Sequence, residues 1–284
     1  MYRTHAIVLT YPGHFLLTKL TIDQLYQTQP EVNRITVIVD DISNLAWQTY
    51  ISDCDSLYDN RVDQIIQLSH YREFKRLRNY PWLRQQTVKL YLDRLFPNDE
   101  FVFFIDGDVL LHKHVPLGIT PFSFTEYSGV PLTERDPGPG EITSQQSYYV
   151  QHLLGRPHLG IQYQGRRVCV SSPPFRDICL TQLPLLRAEI YNRFNQDLIG
   201  IHVAIATDTR HSASEWELLA WYQQEFLQQP VVLDYWPTSK VGDPITSTTL
   251  VSTCWCSDRE IDTDWWDQNQ IDWQRYWQLL PESK

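Results

Sequence analysis

The stretch Phe101-Val-Phe-Phe-Ile-Asp106-Gly-Asp108-Val-Leu-Leu111 constrains this chain more than any other. Five apolar residues lead into two carboxylates, and three apolar residues lead out. An unbroken apolar run of strand length, preceded by Pro97-Asn98-Asp99, is expected to be a strand buried on both faces. Such strands occupy the middle of parallel sheets, and ligands collect at their carboxyl ends. Asp106 and Asp108 fall at or just past that end. Two apart in extended chain, they point the same way. Gly107 between them lets another group approach the backbone. Two neighbouring carboxylates repel unless a cation holds them. An all-oxygen donor set suits Mg²⁺ or Mn²⁺. The alternative is a pair of solvated loop acids after a core strand.

The residues upstream read as strand, helix, strand. His5 to Thr10 is a first strand, and Tyr11-Pro-Gly-His14 a turn after it. Phe15 to Gln27 carries apolar residues at 16, 17, 20, 22, 25 and 26, the spacing of a helix packed on a sheet. Ile35 to Val39 is a second buried strand, ended by Asp40-Asp41. This is a parallel βαβ unit, so Thr10, Tyr11 and Asp40 are candidates for contacts to a nucleotide's base and ribose. Turn chemistry and helix capping are the alternative for all three. No GxGxxG follows the first strand and no Walker A motif occurs, which argues against a dinucleotide-dependent oxidoreductase or a P-loop NTPase. Leu45 to Tyr58 is expected to be helical, and Ile65 to Leu68 a third strand. Tyr80 to Phe96 reads as one helix with Pro81 in its first turn. Gln85 and Lys89, four apart, share a face of it that would meet a nucleotide or its phosphates, or simply solvent.

Beyond the acidic strand the texture changes. Residues 126–147 form a turn-rich loop of the kind that folds over a substrate. Ser147 to Leu154 is a candidate helix, and Ile161 to Ser171 a hairpin turning at Gln164-Gly165. Leu180 to Phe194 is helical. Leu198 to Ile205 is apolar but for His202 and fits a strand or a buried helix. A helix runs from Ser212 or Ser214 to Phe226, and Val231 to Leu233 and Leu250 to Trp255 are later strands. Trp265, Trp266, Trp273 and Trp277 in the tail are read as a docking face rather than a sugar platform.

The 284 residues fit one domain made of two halves around a cleft, a nucleotide-sugar half over 1–112 and an acceptor half over 113–284. A formal charge of −10 argues against nucleic acid or an anionic membrane as partner. No apolar run reaches the length of a transmembrane helix. The amino terminus enters a strand with no signal-peptide pattern, so a cytoplasmic protein is expected. Five cysteines fit reduced thiols, and Cys254-Trp-Cys256 reads as strand packing.

The helix and acidic strand together, from Leu83-Arg-Gln-Gln through Leu95-Phe-Pro to Phe104-Ile-Asp-Gly-Asp-Val-Leu110, resemble the GT-A glycosyltransferases. Ser214-Glu215-Trp216-Glu217-Leu218 resembles the S-E-Y-x-L segment of a set of bacterial and viral glycosyltransferase-like proteins. The resemblance covers about 75–112 well, 1–40 by architecture and 207–222 moderately. It implies an α/β, Rossmann-like, mainly parallel sheet flanked by helices. It also implies a nucleotide-sugar donor, by family habit a UDP-sugar, held through Mn²⁺ or Mg²⁺ by Asp106 and Asp108. A glycan or other hydroxyl compound would be the acceptor. If the reaction inverts the anomeric carbon, a carboxylate must take the acceptor's proton. Glu215 is the first candidate and Asp208 the second; in a retaining reaction Glu215 would orient the acceptor. The family often adds a late histidine as third metal ligand. No histidine follows His211 here, so His211, His202, His112 or water would fill that place.

Two other readings remain. Phe104-Ile-Asp-Gly-Asp-Val-Leu110 also resembles the first motif of haloacid-dehalogenase-type phosphohydrolases, but about a hundred residues precede it and no later partner set stands out. A non-catalytic carbohydrate-binding protein would use the 10 Trp and 16 Tyr as platforms and would need no metal.

Overall fold

The computed structural model describes residues 4–11, 13–42, 61–114, 123–126, 161–163, 166–168, 175–207, 215, 218–219, 222, 226–228, 232–235, 238–241, 251–254, 257–271 and 273–274. Strands are β1 (Thr4–Thr10), β2 (Val32–Val39), β3 (Gln64–Gln67), β4 (Phe101–Asp106), β5 (Val109–Leu111) and β6 (Ser123–Glu126). They continue as β7 (Ile161–Tyr163), β8 (Arg166–Val168), β9 (Phe175–Cys179), β10 (Val232–Tyr235), β11 (Thr238–Lys240) and β12 (Val251–Thr253). Helices are α1 (Phe15–Thr28), α2 (Arg72–Lys75), α3 (Pro81–Lys89), α4 (Leu92–Leu95), α5 (Leu183–Phe194), α6 (Leu198–Thr207) and α7 (Thr263–Gln268). The class is α/β, with a mainly parallel sheet flanked by helices, as the sequence led us to expect. The chain divides into two compact units, Met1–His70 with Phe103–Leu117 and Pro237–Lys284, and Tyr71–Val102 with Gly118–Trp236.

In the first unit the strands lie in the order β3-β2-β1-β4. β1 is parallel to β2, and β2 to β3. Ala6 to Leu9 of β1 and Ile35 to Val39 of β2 are buried, as strand segments covered on both faces must be, whereas β3 at the edge leaves Gln64 exposed. The carboxyl ends are stitched together. Asp40 N–H donates to Thr10 O at 2.8 Å, and Gly107 N–H donates to Leu9 O at 2.7 Å. Beside them, the buried Asp41 carboxylate accepts from Ser69 N–H at 2.7 Å and Ser69 Oγ at 2.5 Å.

The apolar run from 101 to 111 is two strands, not one. β4 ends at Asp106, Gly107-Asp108 turns, and β5 joins a second sheet in the order β11-β12-β5. β5 is antiparallel to β12, with Val109 opposite Thr253. Helix α1 fixes that break. Thr18 Oγ1 lies 3.1 Å from Gly107 O, and Thr21 Oγ1 donates to Val109 O at 2.9 Å. A Cβ at position 107 would lie 2.6 Å from Thr18 Oγ1 and 2.9 Å from Leu9 O, so only glycine fits there. Leu16, Leu17 and Leu20 of α1 pack with Leu110, Cys254, Ile261, Trp266 and Ile271 in one core cluster. Trp265 and Trp273 lie against it, so the tail's tryptophans do dock here. Trp277 is outside the described residues.

In the second unit β9 lies beside the entry of β4, and Leu180 N–H donates to Glu100 O at 2.8 Å. β6 pairs in parallel with β10, and β7 pairs antiparallel with β8 as the expected hairpin. The expected helix over 80–96 is two helices, α3 and α4. The carbonyl of Leu90, freed at the break, accepts from Arg187 Nη1 at 2.5 Å. The same guanidinium grips Asp93 at 2.7 and 2.6 Å and lies 4.4 Å from the centre of the Tyr91 ring. A tertiary partner thus supplies what the helix gives up at its carboxyl end. The apolar segment from 198 is helical: Asp197 caps it by accepting from the Gly200 N–H. The expected elements over 45–58 and 147–154, and the loop beyond Glu126, lie outside the described residues, as do Ser212, Ser214 and Cys256. Among the described residues no helix is long and apolar enough to cross a membrane.

Candidate functional site

Strand order places a switch point in the first unit's sheet. From β1 the chain passes to β2 on one side, and β4 returns on the other. In open α/β sheets ligands bind at such switch points, outside the carboxyl ends of the strands, so this edge is the place to look for a site. Tyr11, Gly13 and His14 follow β1; Asp106 ends β4, and Gly107 and Asp108 follow it. The two carboxylates that the sequence singled out therefore stand at the carboxyl edge of the parallel sheet.

Both carboxylates are partly exposed, Asp108 by 22%. His14, almost fully buried, points Nδ1 at Asp108 Oδ2 from 3.8 Å. Its Nε2 is 2.5 Å from Tyr11 Oη, and the two rings are tilted by 43° with 3.9 Å between centroids. Burial pushes the Tyr11 phenol far up, and the charges of Asp108, Asp258 and Asp106 push it further. Tyr11 therefore stays protonated, and its hydroxyl shares a hydrogen bond with His14 Nε2. In the tautomer where the phenol donates, the imidazole proton sits on Nδ1 and faces Asp108. The potential at this edge is set by carboxylates, which favours a cation there.

Thr10 has no exposed surface, and its hydroxyl accepts from Thr18 Oγ1 at 2.7 Å. A side-chain contact from Thr10 to a nucleotide would require that hydroxyl to be uncovered. Asp40 is 2% exposed beside it. His112 is half-buried just past β5, with Nε2 2.7 Å from Ser252 Oγ, and burial lowers its pKa. Sequence reasoning passed over His14, which it treated as part of a turn. The signal was available: an imidazole three residues after the first strand of a parallel sheet falls at the same edge as the acids.

Asp258 was missed as well. It comes from late in the chain and is fully buried. Its carboxylate accepts from Leu16 N–H at 2.9 Å and Leu17 N–H at 3.2 Å in the first turn of α1. Its own N–H donates to Gly13 O at 2.6 Å, and its carbonyl accepts from Trp266 Nε1 at 3.2 Å. Burial raises its carboxyl to about 7 although three backbone N–H groups pull the other way. No sequence signal short of the fold joins residues 242 apart.

The second unit holds a different set. Lys89 Nζ lies 3.1 Å from Glu215 Oε1, with the two side chains 2% and 0% exposed. Glu215 N–H donates to Gln86 Oε1 at 3.3 Å. Nearby in α3, Thr87 Oγ1 is 2.6 Å from His202 Nδ1. His202 is completely buried, which holds its imidazole neutral with a pKa of about 3. Gln85, expected to share a ligand-facing side with Lys89, is half-buried, whereas Lys89 is sealed. Asp208 and His211 lie outside the described residues.

Chemically, two partly exposed carboxylates fit Mg²⁺ or Mn²⁺ as a partial shell, completed by water and a ligand's phosphate oxygens. Among the described residues no three His, Cys, Asp or Glu side chains form a closed metal site.

No protein-family model and no curated protein matches this sequence. Among solved structures, the galactosyltransferase LgtC in complex with donor and acceptor sugar analogs aligns over 98% of this chain and 98% of its own, at 10% identity and a TM-score of 0.49.

Proposed function

We propose that the protein is a metal-dependent glycosyltransferase of the GT-A type. It would move a sugar from a nucleotide-diphosphate donor, a UDP-sugar first among candidates, to a hydroxyl of a glycan or other acceptor. One observation carries this reading: Asp106 and Asp108 bracket a glycine turn at the carboxyl end of β4, at the sheet's switch point. An acidic edge there suits a donor whose phosphates come with a divalent ion. When bound, Mn²⁺ or Mg²⁺ would offset the charge of the leaving diphosphate.

The chain's own residues divide the remaining work. Asp106 and Asp108 supply carboxylate oxygens to the ion. The Tyr11–His14 pair would steady Asp108 electrostatically, with His14 Nδ1 3.8 Å from its Oδ2. Tyr11, Thr10 and Asp40 are proposed to meet the nucleotide's base and ribose, a role for which Thr10 and Asp40, 0% and 2% exposed, must first be uncovered. Gly107 admits the close passage of α1 that fixes the turn. Glu215, with Asp208 second, is proposed to take the acceptor's proton, and Gln85 and Lys89 to serve the donor. For Glu215 and Lys89 that role requires their buried pair to open.

The test is a thermal-shift screen of nucleotides and nucleotide-sugars with and without Mn²⁺. A ligand at a hundred times its Kd stabilises by about 2.7 kcal/mol, which is readily seen. A UDP-type nucleotide should raise Tm only with Mn²⁺, and D108A should remove that rise. Stabilisation by free glycans alone, unaffected by D108A, would favour the carbohydrate-binding protein instead.

A further inference from the structure

In parallel sheets that bind dinucleotides, the first helix after β1 presents its free N–H groups to the ligand's phosphates. Here that end of α1 is already occupied from within. The Asp258 carboxylate accepts from the Leu16 and Leu17 N–H groups at 2.9 and 3.2 Å. His14, at the N-cap position of α1, makes no side-chain cap hydrogen bond of its own. The 14-residue helix therefore has its positive end covered by an internal anion. Asp258 is held in place on three sides: by α1, by Gly13 O through its own N–H, and by Trp266 Nε1 on its carbonyl. It is fully buried, so solvent does not dilute its effect. Its charge, like those of Asp106 and Asp108, is felt at the Tyr11 phenol.

Resting on the glycosyltransferase reading, we propose that Asp258 is the residue that makes diphosphate binding obligately cation-dependent: it cancels the helix's attraction for phosphate and adds to the negative field that draws the metal. Asp258 is thus a positioning and specificity-determining residue, not a metal ligand. Its removal should move two affinities in opposite directions, which a merely structural cap would not do.

The test uses the full chain, inorganic pyrophosphate as probe and the variants D258N and D258S, at about pH 8, where Asp258 is ionised. Both Asn and Ser are good helix caps without charge, so the fold should survive, as near-UV circular dichroism would verify. Calorimetry in EDTA reads cation-free pyrophosphate affinity; the paramagnetic resonance of free Mn²⁺ reads metal affinity. Both variants should bind pyrophosphate in EDTA about fivefold more tightly than the wild type and bind Mn²⁺ about fivefold more weakly. If D258N loses the fold, D258S alone decides. If neither folds in buffer, recovery of the folded signal by pyrophosphate in EDTA supports the proposal and its absence overturns it. A folded variant with wild-type pyrophosphate affinity in EDTA also overturns it. Failure of the underlying function looks different: the wild type itself would show no gain in pyrophosphate affinity on adding Mn²⁺.

Discussion

Asp108 at the edge of the first unit's sheet keeps 22% of its side chain exposed, and water screens it. Lys89 and Glu215 inside the second unit keep 2% and 0%. The chemical groups are alike, but the energetics are not. A half-solvated carboxylate can exchange water for a cation at modest cost, so its charge is available to a ligand. A sealed ion pair has already lost its hydration, and separating it leaves a bare charge in a low-dielectric interior. The first arrangement is built for binding. The second specifies packing first, and any chemistry from it must begin by opening the pair.

The largest expected effect is on the sealed pair. E215A takes the Glu215 counter-charge away from the buried Lys89 ammonium and should cost about 3–5 kcal/mol in urea denaturation, while the double variant K89M/E215L should recover most of it. A folded, undiminished E215Q that has lost kcat would break the contrast and make Glu215 the base. Next comes His202. Its folded pKa of about 3 is depressed from 6.5, so the folded state binds fewer protons than the unfolded chain between those values. Its contribution is fully present above pH 6.5 and is lost as pH falls through that window, by a few kcal/mol in order of magnitude. H202N should flatten the dependence of urea stability on pH over this range; an unchanged slope would mean that the imidazole is not buried as described.

At the edge, D108A should lower Mn²⁺-dependent transfer or nucleotide binding by about a hundredfold and leave Tm within a few degrees of wild type, because the side chain is partly solvated. A large loss of Tm in D108A would show that this carboxylate, too, is structural. The smallest effect belongs to G107A, which forces a Cβ within 2.6 Å of Thr18 Oγ1. It should cost about 1–3 kcal/mol of stability. The companion variant G107A/T18A, with that oxygen removed, should regain part of the loss.

Much of the first unit was legible in the sequence. Apolar runs at 6–9, 35–39 and 101–105 with a helical period between the first two leave little choice but a parallel βαβ sheet, and Asp106-Gly-Asp108 then falls at its carboxyl end. The break of the acidic strand into β4 and β5 was hidden, because apolar residues continue on both sides and only Thr18 and Thr21 on α1 reveal where the chain leaves the sheet. The helix over 80–96 was overextended for a similar reason: Arg187, nearly a hundred residues later, compensates the break at Leu90.

What the local sequence determined is therefore what nearest neighbours control: strand and helix type through apolar spacing, and two acids delivered to the end of a buried strand. Tertiary structure alone decided the state of each charge. Lys89 and Glu215, solvent- or ligand-facing by pattern, are sealed together, and Asp258 crosses from the far end of the chain to cover α1. The physical reason is that hydration and Coulomb energy depend on what surrounds a group in space, and residues 126 or 242 positions apart become neighbours only when the chain has folded.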